Sequence, residues 1–361
     1  MADTTNATGL RVQQWDDKFF MEFMHENPFS RYVGTAENDI VQVKEDLTKK
    51  RGDSVTYALA NRLTNDPVTG SDTLEGNEED LTSRSFRVYV NKRRNAVRTD
   101  EMSEIKSAID LRDAGRSALK DWMMELSRDR FIDALGSING VVYSSATETQ
   151  KDAWLVDNAD RVLFGAARSN NSSNDHSSSI ANIDNTNDKL TPQALSLMKE
   201  IATTIASPKI RPTRVENGRW YYQVFAATRC FRDLKTNSTI VQAQREVSLE
   251  AENNRLFQGG DILWDGMVVH EVPDIAVLTG VGAGSIDVAP VYLCGAQALA
   301  MAVAKRTWTV AKDFDYDDKR GVAINVIDGI EKMIFGSGAG DTDDLKDHGM
   351  VTGFFAAVAS A

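Results

Sequence analysis

The chain has 361 residues, of which 42% are hydrophobic and 26% charged, so it can bury a sizeable core and suits two domains or one elaborated domain. Those proportions exclude collagen-like, coiled-coil and wholly disordered chains. Forty-one Lys plus Arg against 53 Asp plus Glu gives 41 − 53 = −12, a poor charge for a general binder of phosphate backbones.

Two cysteines, Cys230 and Cys294, make no disulfide framework and suit a reducing compartment. The opening MADTTNATGL has neither the basic nor the apolar segment of a secretory signal. In chain order, residues 1–45 read as an extended arm, with Trp15, Phe19, Phe20, Phe23, Met24 and Phe29 closely spaced. Its aromatics either cap the chain's own core or dock on another subunit.

Leu63 to Ser83 contains Asp66, Asp72, Glu75, Glu78, Glu79 and Asp80 and no base, whereas Leu81 to Thr99 contains Arg84, Arg87, Lys92, Arg93, Arg94 and Arg98 and no acid. Pro67, Gly70 and Gly76 are turn residues, and Phe86, Val88 and Val90 alternate with Arg87 and Tyr89 as in a half-exposed strand. This predicts a long hairpin with an acidic and a basic limb, suited to a head-to-tail contact with an identical neighbour or folded back on its own domain. Two strands alone are marginal in water, so such a hairpin needs a surface to lie on.

Residues 102–135 read as one long helix with acids at its start and Gly136 at its end, about 50 Å of strut. Residues 169–188, with six Ser and six Asn, read as a surface loop or insertion. Pro192 to Ala206 reads as a helix capped by Thr191. Tyr221 to Ala227 and Asp261 to Ile275 have strand character, with loop and helix over Arg229 to Gln244. Val288 to Ala304, apolar nearly all round, reads as a buried helix too short for a bilayer. Val322 to Phe335 and Met350 to Val358 are closing strands. Helices and strands do not alternate regularly, so the fold class is α+β.

No constellation of residues supports a reaction. GSGAGD (336–341) lacks the lysine of a phosphate loop, and GVGAGS (280–285) misses the dinucleotide spacing. Asp313, Asp315 and Asp317 imitate the start of a calcium loop that then fails at Asp318 and Ile324. The four histidines are scattered, without zinc spacing. Cys230 with His270 would be the one nucleophile and base, but Cys230 sits in AATRCF without a glycine-rich elbow, and a buried inert thiol fits it better. Catalytic, cofactor and metal sites are therefore not expected.

Several stretches together resemble the major capsid proteins of tailed bacteriophages, in the short-tailed-phage branch. They are DLTKKRGDSVTYALANRL with LEGNEEDL (46–63, 74–81), FRVYVNKRRNAVR (86–98) and the helix after it, and DRVLFGAARSN (160–170). NRLFQGGDILWDGMVVHEVPDI (254–275) and VYLCGAQALAMAVAKR with GMVTGFFAAVA (291–306, 349–359) complete the set. The resemblance implies the phage capsid (Johnson) fold. It would comprise an N-terminal arm (1–45), an extended hairpin loop (46–101), a peripheral domain with the spine helix (102–214), an axial domain (215–320) and shared closing strands (321–361). It implies self-assembly into hexamers and pentamers of an icosahedral head around double-stranded DNA, held only by non-specific apposition, in the virion after assembly in the host bacterial cytoplasm. Portal, scaffolding and decoration proteins would be further partners, with no membrane and no cofactor. Some relatives cross-link a lysine of this loop to an asparagine; Lys92 lies in the matching region, but no acceptor motif accompanies it.

Contact candidates between subunits are Trp15, Phe19 and Phe23 on the arm, Lys49, Lys50 and Arg51 at the loop entry, and Glu75, Glu78, Glu79, Arg87, Lys92, Arg93 and Arg94 on the hairpin. Arm, hairpin and strut extend surface beyond a core, which a shell subunit needs because obligate interfaces often exceed roughly 2,000 Å². The rival readings are another virion part, a decoration or tail component, and a hydrolase using Cys230 and His270.

Overall fold

The computed structural model describes residues 27–48, 52–63, 65–70, 73–107, 110–216, 218–246, 261–316, 318–338 and 340–359. The elements run β1 (Val33–Gly34), β2 (Val41–Lys44), β3 (Ser54–Ala60), β4 (Ser83–Tyr89), β5 (Asn91–Asp100), α1 (Glu101–Lys106), α2 (Leu111–Gly136), α3 (Glu148–Asn158), β6 (Val162–Phe164), α4 (His176–Ala181) and α5 (Pro192–Glu200). There follow β7 (Arg214–Glu216), β8 (Arg219–Ala226), α6 (Thr228–Thr236), α7 (Ser238–Glu246), β9 (Ile262–Trp264), β10 (Met267–Glu271), β11 (Val288–Cys294), β12 (Leu299–Phe314), β13 (Lys319–Lys332), β14 (Ile334–Ser337), β15 (Asp343–Asp347) and β16 (Met350–Ala356). Two compact units result. One holds Lys92–Ser127 and Arg306–Ile327; the other holds Pro28–Asn91, Arg128–Lys305 and Asp328–Ala361.

The smaller unit is a helix on a sheet. Strands β12, β13 and β5 lie side by side in that order. Val322 and Ile324 on β13, with Val97 on β5, pack against Leu119, Trp122 and Met123 of α2. The predicted strut is two helices instead of one. Ser107 leaves α1 in extended backbone at φ −84° and ψ 135°, and Asp110 Oδ1 accepts from the amides of Arg112 (3.0 Å) and Asp113 (3.1 Å), restarting the chain as α2. Asp100 caps α1 by accepting from Ser103 N at 3.1 Å.

The larger unit is built on a seven-stranded sheet ordered β6-β16-β11-β8-β10-β9, with β7 beside β8. Here the run Val288 to Ala304 departs from the predicted helix: it forms β11 and the start of β12. Every residue of β11 is buried, because β16 and β8 flank it and both faces are covered, so the run carries no alternation to betray a strand. Cys230, Phe231 and Leu234 seat α6 in the same core, so Cys230 is helical.

Phe29, Ile40 and Val41 also enter this core, and β2 pairs in parallel with β12, Val41 opposite Leu299. Part of the predicted arm is therefore anchored in the core. The Ser/Asn-rich stretch is likewise not a plain surface loop. It folds as α4 with Ile180 and Ile183 buried against Trp154, Phe164 and Phe354. Asp188 secures it by accepting from Ala166 N (2.8 Å), Asn170 Nδ2 (3.1 Å) and Asp184 N (3.0 Å). Gly165 stands opposite with φ +63°, where a Cβ would strike that carboxylate. The helix predicted from Thr191 is present, with Thr191 accepting from Ala194 N and Pro192 in its first turn.

Candidate assembly surfaces

The hairpin β3–β4 pairs Ser54 with Tyr89 through Ala60 with Ser83. Its alternation puts Val55, Tyr57 and Val88 on one face, where they pack with Ala300, Ala302, Met333 and Phe335. Tyr57 Oη lies 3.0 Å from Gln42 O and 2.9 Å from Met301 O, and Lys44 Nζ sits 4.4 Å from the centre of its ring. The base of the hairpin is thus held on its own unit.

What stays outside is the connection of 61–82. Its described residues are exposed except Asn61 and Glu79, which are half-buried. Leu63, Leu74 and Leu81 expose 57%, 65% and 73% of their surface. The acids lie here, not on a strand: the hairpin has no acidic limb. Pro67, Gly70 at φ +70° and Gly76 at φ +91° favour turns, and neighbouring like charges oppose a flat ladder. Glu79 braces the loop by accepting from Asn65 N at 2.8 Å, and Glu78 accepts from Gly76 N at 2.7 Å.

The basic limb is also divided. Arg84 and Arg87 are on β4, but Lys92, Arg93, Arg94 and Arg98 lie on β5 of the smaller unit. There the sheet face away from α2 carries a mixture of rings and cations. Lys92 Nζ is 5.8 Å from the Trp308 ring centre and Lys312 Nζ 5.0 Å from that of Phe314. Alternation sets Val310 on the same side, and Arg94 and Arg98 on that of Lys92. Gly321 leaves room for the Phe314 ring, which a Cβ would meet at 3.0 Å. Val310 and Phe314 expose 46% and 39%, and Tyr316 at the β12–β13 turn is wholly exposed.

Cys230 and His270 do not meet as nucleophile and base. Cys230 is fully buried with Sγ 3.9 Å from Ala356 O, and burial pushes its thiol up to about 12. His270 is committed to Asp261 (2.9 Å), Tyr32 Oη (2.6 Å) and Gln223 Oε1 (2.8 Å), and burial lowers it against the pull of Asp261. Asp315 is paired with Lys319 at 2.8 Å. Among the described residues no group of three or more His, Cys, Asp or Glu is placed to hold a metal ion, and no helix is long and apolar enough to cross a membrane.

A family model described as phage capsid protein matches residues 3–359. The chain belongs to the phage capsid protein family. The capsid protein is 26% identical over 378 residues to the major capsid protein of Pseudomonas phage KPP25, covering 98% of each chain. It superposes on a subunit from the cyanophage Pam1 capsid asymmetric unit with a TM-score of 0.89 and 32% identity over 100% of both chains. Against the capsid of Ralstonia phage GP4 the TM-score is 0.75 at 24% identity, again over 100% of both chains. The fold is the phage capsid (Johnson) fold, α+β as the sequence indicated, and the chain is a structural major capsid protein of the virion shell.

Of the candidate contact residues of this capsid protein, Trp15, Phe19, Phe23, Lys49, Lys50 and Arg51 lie outside the described residues. Glu75, Glu78, Arg87, Lys92 and Arg94 are exposed, while Glu79 and Arg93 are half-buried. By strand alternation Arg93 falls on the face opposite Lys92 and Arg94. Sequence reading missed Trp308, Val310 and Phe314. Their period-2 spacing from Trp308 to Phe314 was the available signal, obscured by the apolar run before it, read as a buried helix over Val288 to Ala304.

Proposed function

We propose that copies of this capsid protein close an icosahedral head as hexamers and pentamers around double-stranded DNA. In that head, loop 61–82 of one copy lies on the ring-and-cation sheet face of the next. The carrying observation is the match between the two surfaces. From Leu63 onward the loop offers acids and exposed leucines and no base, and the face offers Lys92, Arg94, Arg98 and Lys312 around Trp308, Val310 and Phe314. Covering one exposed leucine is worth about 1.5–3 kcal/mol, so the leucines supply the affinity, while the charges set register and rate. A head-to-tail contact of this kind generates rings.

In this reading residues 1–26 are an arm, the hairpin and its loop form the extended loop, α2 with its sheet forms the peripheral domain, and the seven-stranded sheet belongs to the axial domain. A net charge of −12 favours a lining that encloses DNA without gripping it. Assembly in the host cytoplasm with portal, scaffolding and decoration proteins completes the reading, because a shell filled after closure needs an entry vertex and a control of size.

Electron microscopy of the purified chain tests it. Wild-type protein should form closed particles, and Lys92→Glu with Arg94→Glu should lower particle yield without lowering the melting temperature of the unassembled chain. Adding Glu75→Lys and Glu78→Lys should restore part of the yield. A wild-type chain that stays monomeric under assembly conditions refutes the shell; full yield from the Lys92/Arg94 variant refutes the contact.

A further inference from the structure

Strand β5 is the last strand of its sheet. The order β1-β2-β12-β13-β5 gives it β13 on one side and, among the described residues, no strand on the other. At 10 residues, NKRRNAVRTD, it is long for an edge strand and has no proline or glycine to break it. Val97 O lies against Gly321 of β13. Ala96 N, one residue earlier, donates to Asn95 Oδ1 at 2.8 Å and so points off the ladder. With period two, the main-chain groups of Lys92, Arg94, Ala96 and Arg98 line the open edge. Such a row of N–H and C=O groups is a template for another strand, and Lys or Arg on it opposes pairing with its own kind. The three bases therefore bar a second copy of β5, while a strand bearing acids is favoured there by opposite-charge pairs.

We propose that the stretch Asn77–Thr82 of a neighbouring copy adds to this edge as a further strand, with the rest of its loop on the ring-and-cation face. The inference deepens the loop contact of the preceding section and rests on it; what it adds is main-chain pairing as the mode of that contact. The stretch, NEEDLT, has no proline or glycine, holds no helix or strand of its own, and is exposed except at the half-buried Glu79. Its ends are fixed within the loop: Asn77 N donates to Leu74 O at 3.0 Å, and Thr82 O accepts from Asn61 N at 2.9 Å. The residues between are thus held out at both ends, ready to pair. By alternation Glu78 and Asp80 share one side of an added strand, where they meet the side of β5 that carries Lys92, Arg94 and Arg98. Main-chain bonds give such a contact its strength, and the alternate charges select the partner and its register.

The test compares the full-length chain before and after assembly. Amide hydrogen exchange followed by mass spectrometry should slow at least tenfold on assembly in peptides covering both 77–82 and 91–100. Ala96→Pro removes one outward N–H at a position where an edge strand tolerates proline. It should lower particle yield at least tenfold with no change in the melting temperature of the unassembled chain. Ala96→Ser, which keeps the N–H, should assemble as wild type. Unchanged exchange in 91–100, or full yield from Ala96→Pro, overturns the pairing; if Lys92→Glu with Arg94→Glu still loses yield, the loop contact stands as one of side chains alone. Protection of 91–100 without protection of 77–82 assigns the edge to another occupant and overturns the pairing too. Should Ala96→Pro fail to fold, the wild-type exchange decides alone. A wild-type chain that forms no particles overturns both readings.

Discussion

Replacing Lys332 probes a deeply buried charge of the larger unit. Lys332 and Asp347 are each 1% exposed, with Nζ and Oδ2 2.8 Å apart. Trp154 Nε1 donates to the same oxygen at 3.1 Å, and its ring centre lies 5.4 Å from Nζ. Asp347 Oδ1 has no partner, so the carboxylate depends on those two donors alone. Lys332→Met keeps the volume and removes the cation, which leaves a buried charge with only an indole to answer it; such a loss costs about 3–5 kcal/mol. Lys332→Met with Asp347→Leu removes both charges and leaves only the indole N–H unpaired, a cost of about 1–3 kcal/mol. The double variant should therefore be more stable than the single one by roughly 2 kcal/mol. Denaturant unfolding of the unassembled chain, followed by tryptophan fluorescence and read as midpoint and slope, measures each variant. A single variant within 1 kcal/mol of wild type, or a double variant no better than the single, would show that the pair is not what holds β13 to β15.

Burial, and Arg161 behind it, lower His348 to about 4 from the usual 6.5, so the folded state favours the neutral ring. Its contribution is complete above about pH 6.5 and is lost as pH falls towards 4, at most about 3 kcal/mol. Stability measured at pH 7.5 and 4.5 should fall less in His348→Gln than in wild type; His176 and His270, lowered in the same sense, keep the remaining slope. Both thiols are raised by burial, so iodoacetamide at pH 8 should label neither Cys230 nor Cys294 until denaturant is added, as judged by intact mass. Asp188→Ala should cost about 2–3 kcal/mol, because three donors lose their acceptor, and should speed proteolysis within 165–188.

Much of the candidate assembly surface proposed above rests on signals in the sequence itself. The separation of acids from bases between Leu63 and Thr99, and the turn residues Pro67, Gly70 and Gly76, are local facts that needed no partner. What failed was their placement. Acids expected along a strand lie in the loop between β3 and β4, and four of the six bases lie on β5 of the other unit. Charge says that a segment is solvated, not which sheet it joins. Trp308, Val310 and Phe314 went unnoticed because their alternation follows a run with no period at all.

Local chemistry by itself determined the elements whose signals lie within a few residues: the Thr191–Pro192 start of α5, the Gly136 end of α2, and the strands around Val88 and Val224. It also determined the class of protein, through the residues that resemble phage capsid subunits. Tertiary structure decided the rest. Val288–Cys294 is a strand because β16 and β8 cover both its faces, and a run buried on every side has the same composition in either backbone. The Ser/Asn-rich stretch is ordered because Trp154, Phe164 and Phe354 come to it from elsewhere in the chain. Propensity acts over one or two turns, whereas burial depends on neighbours brought together from distant parts of the sequence, and in this subunit the distant neighbours prevailed.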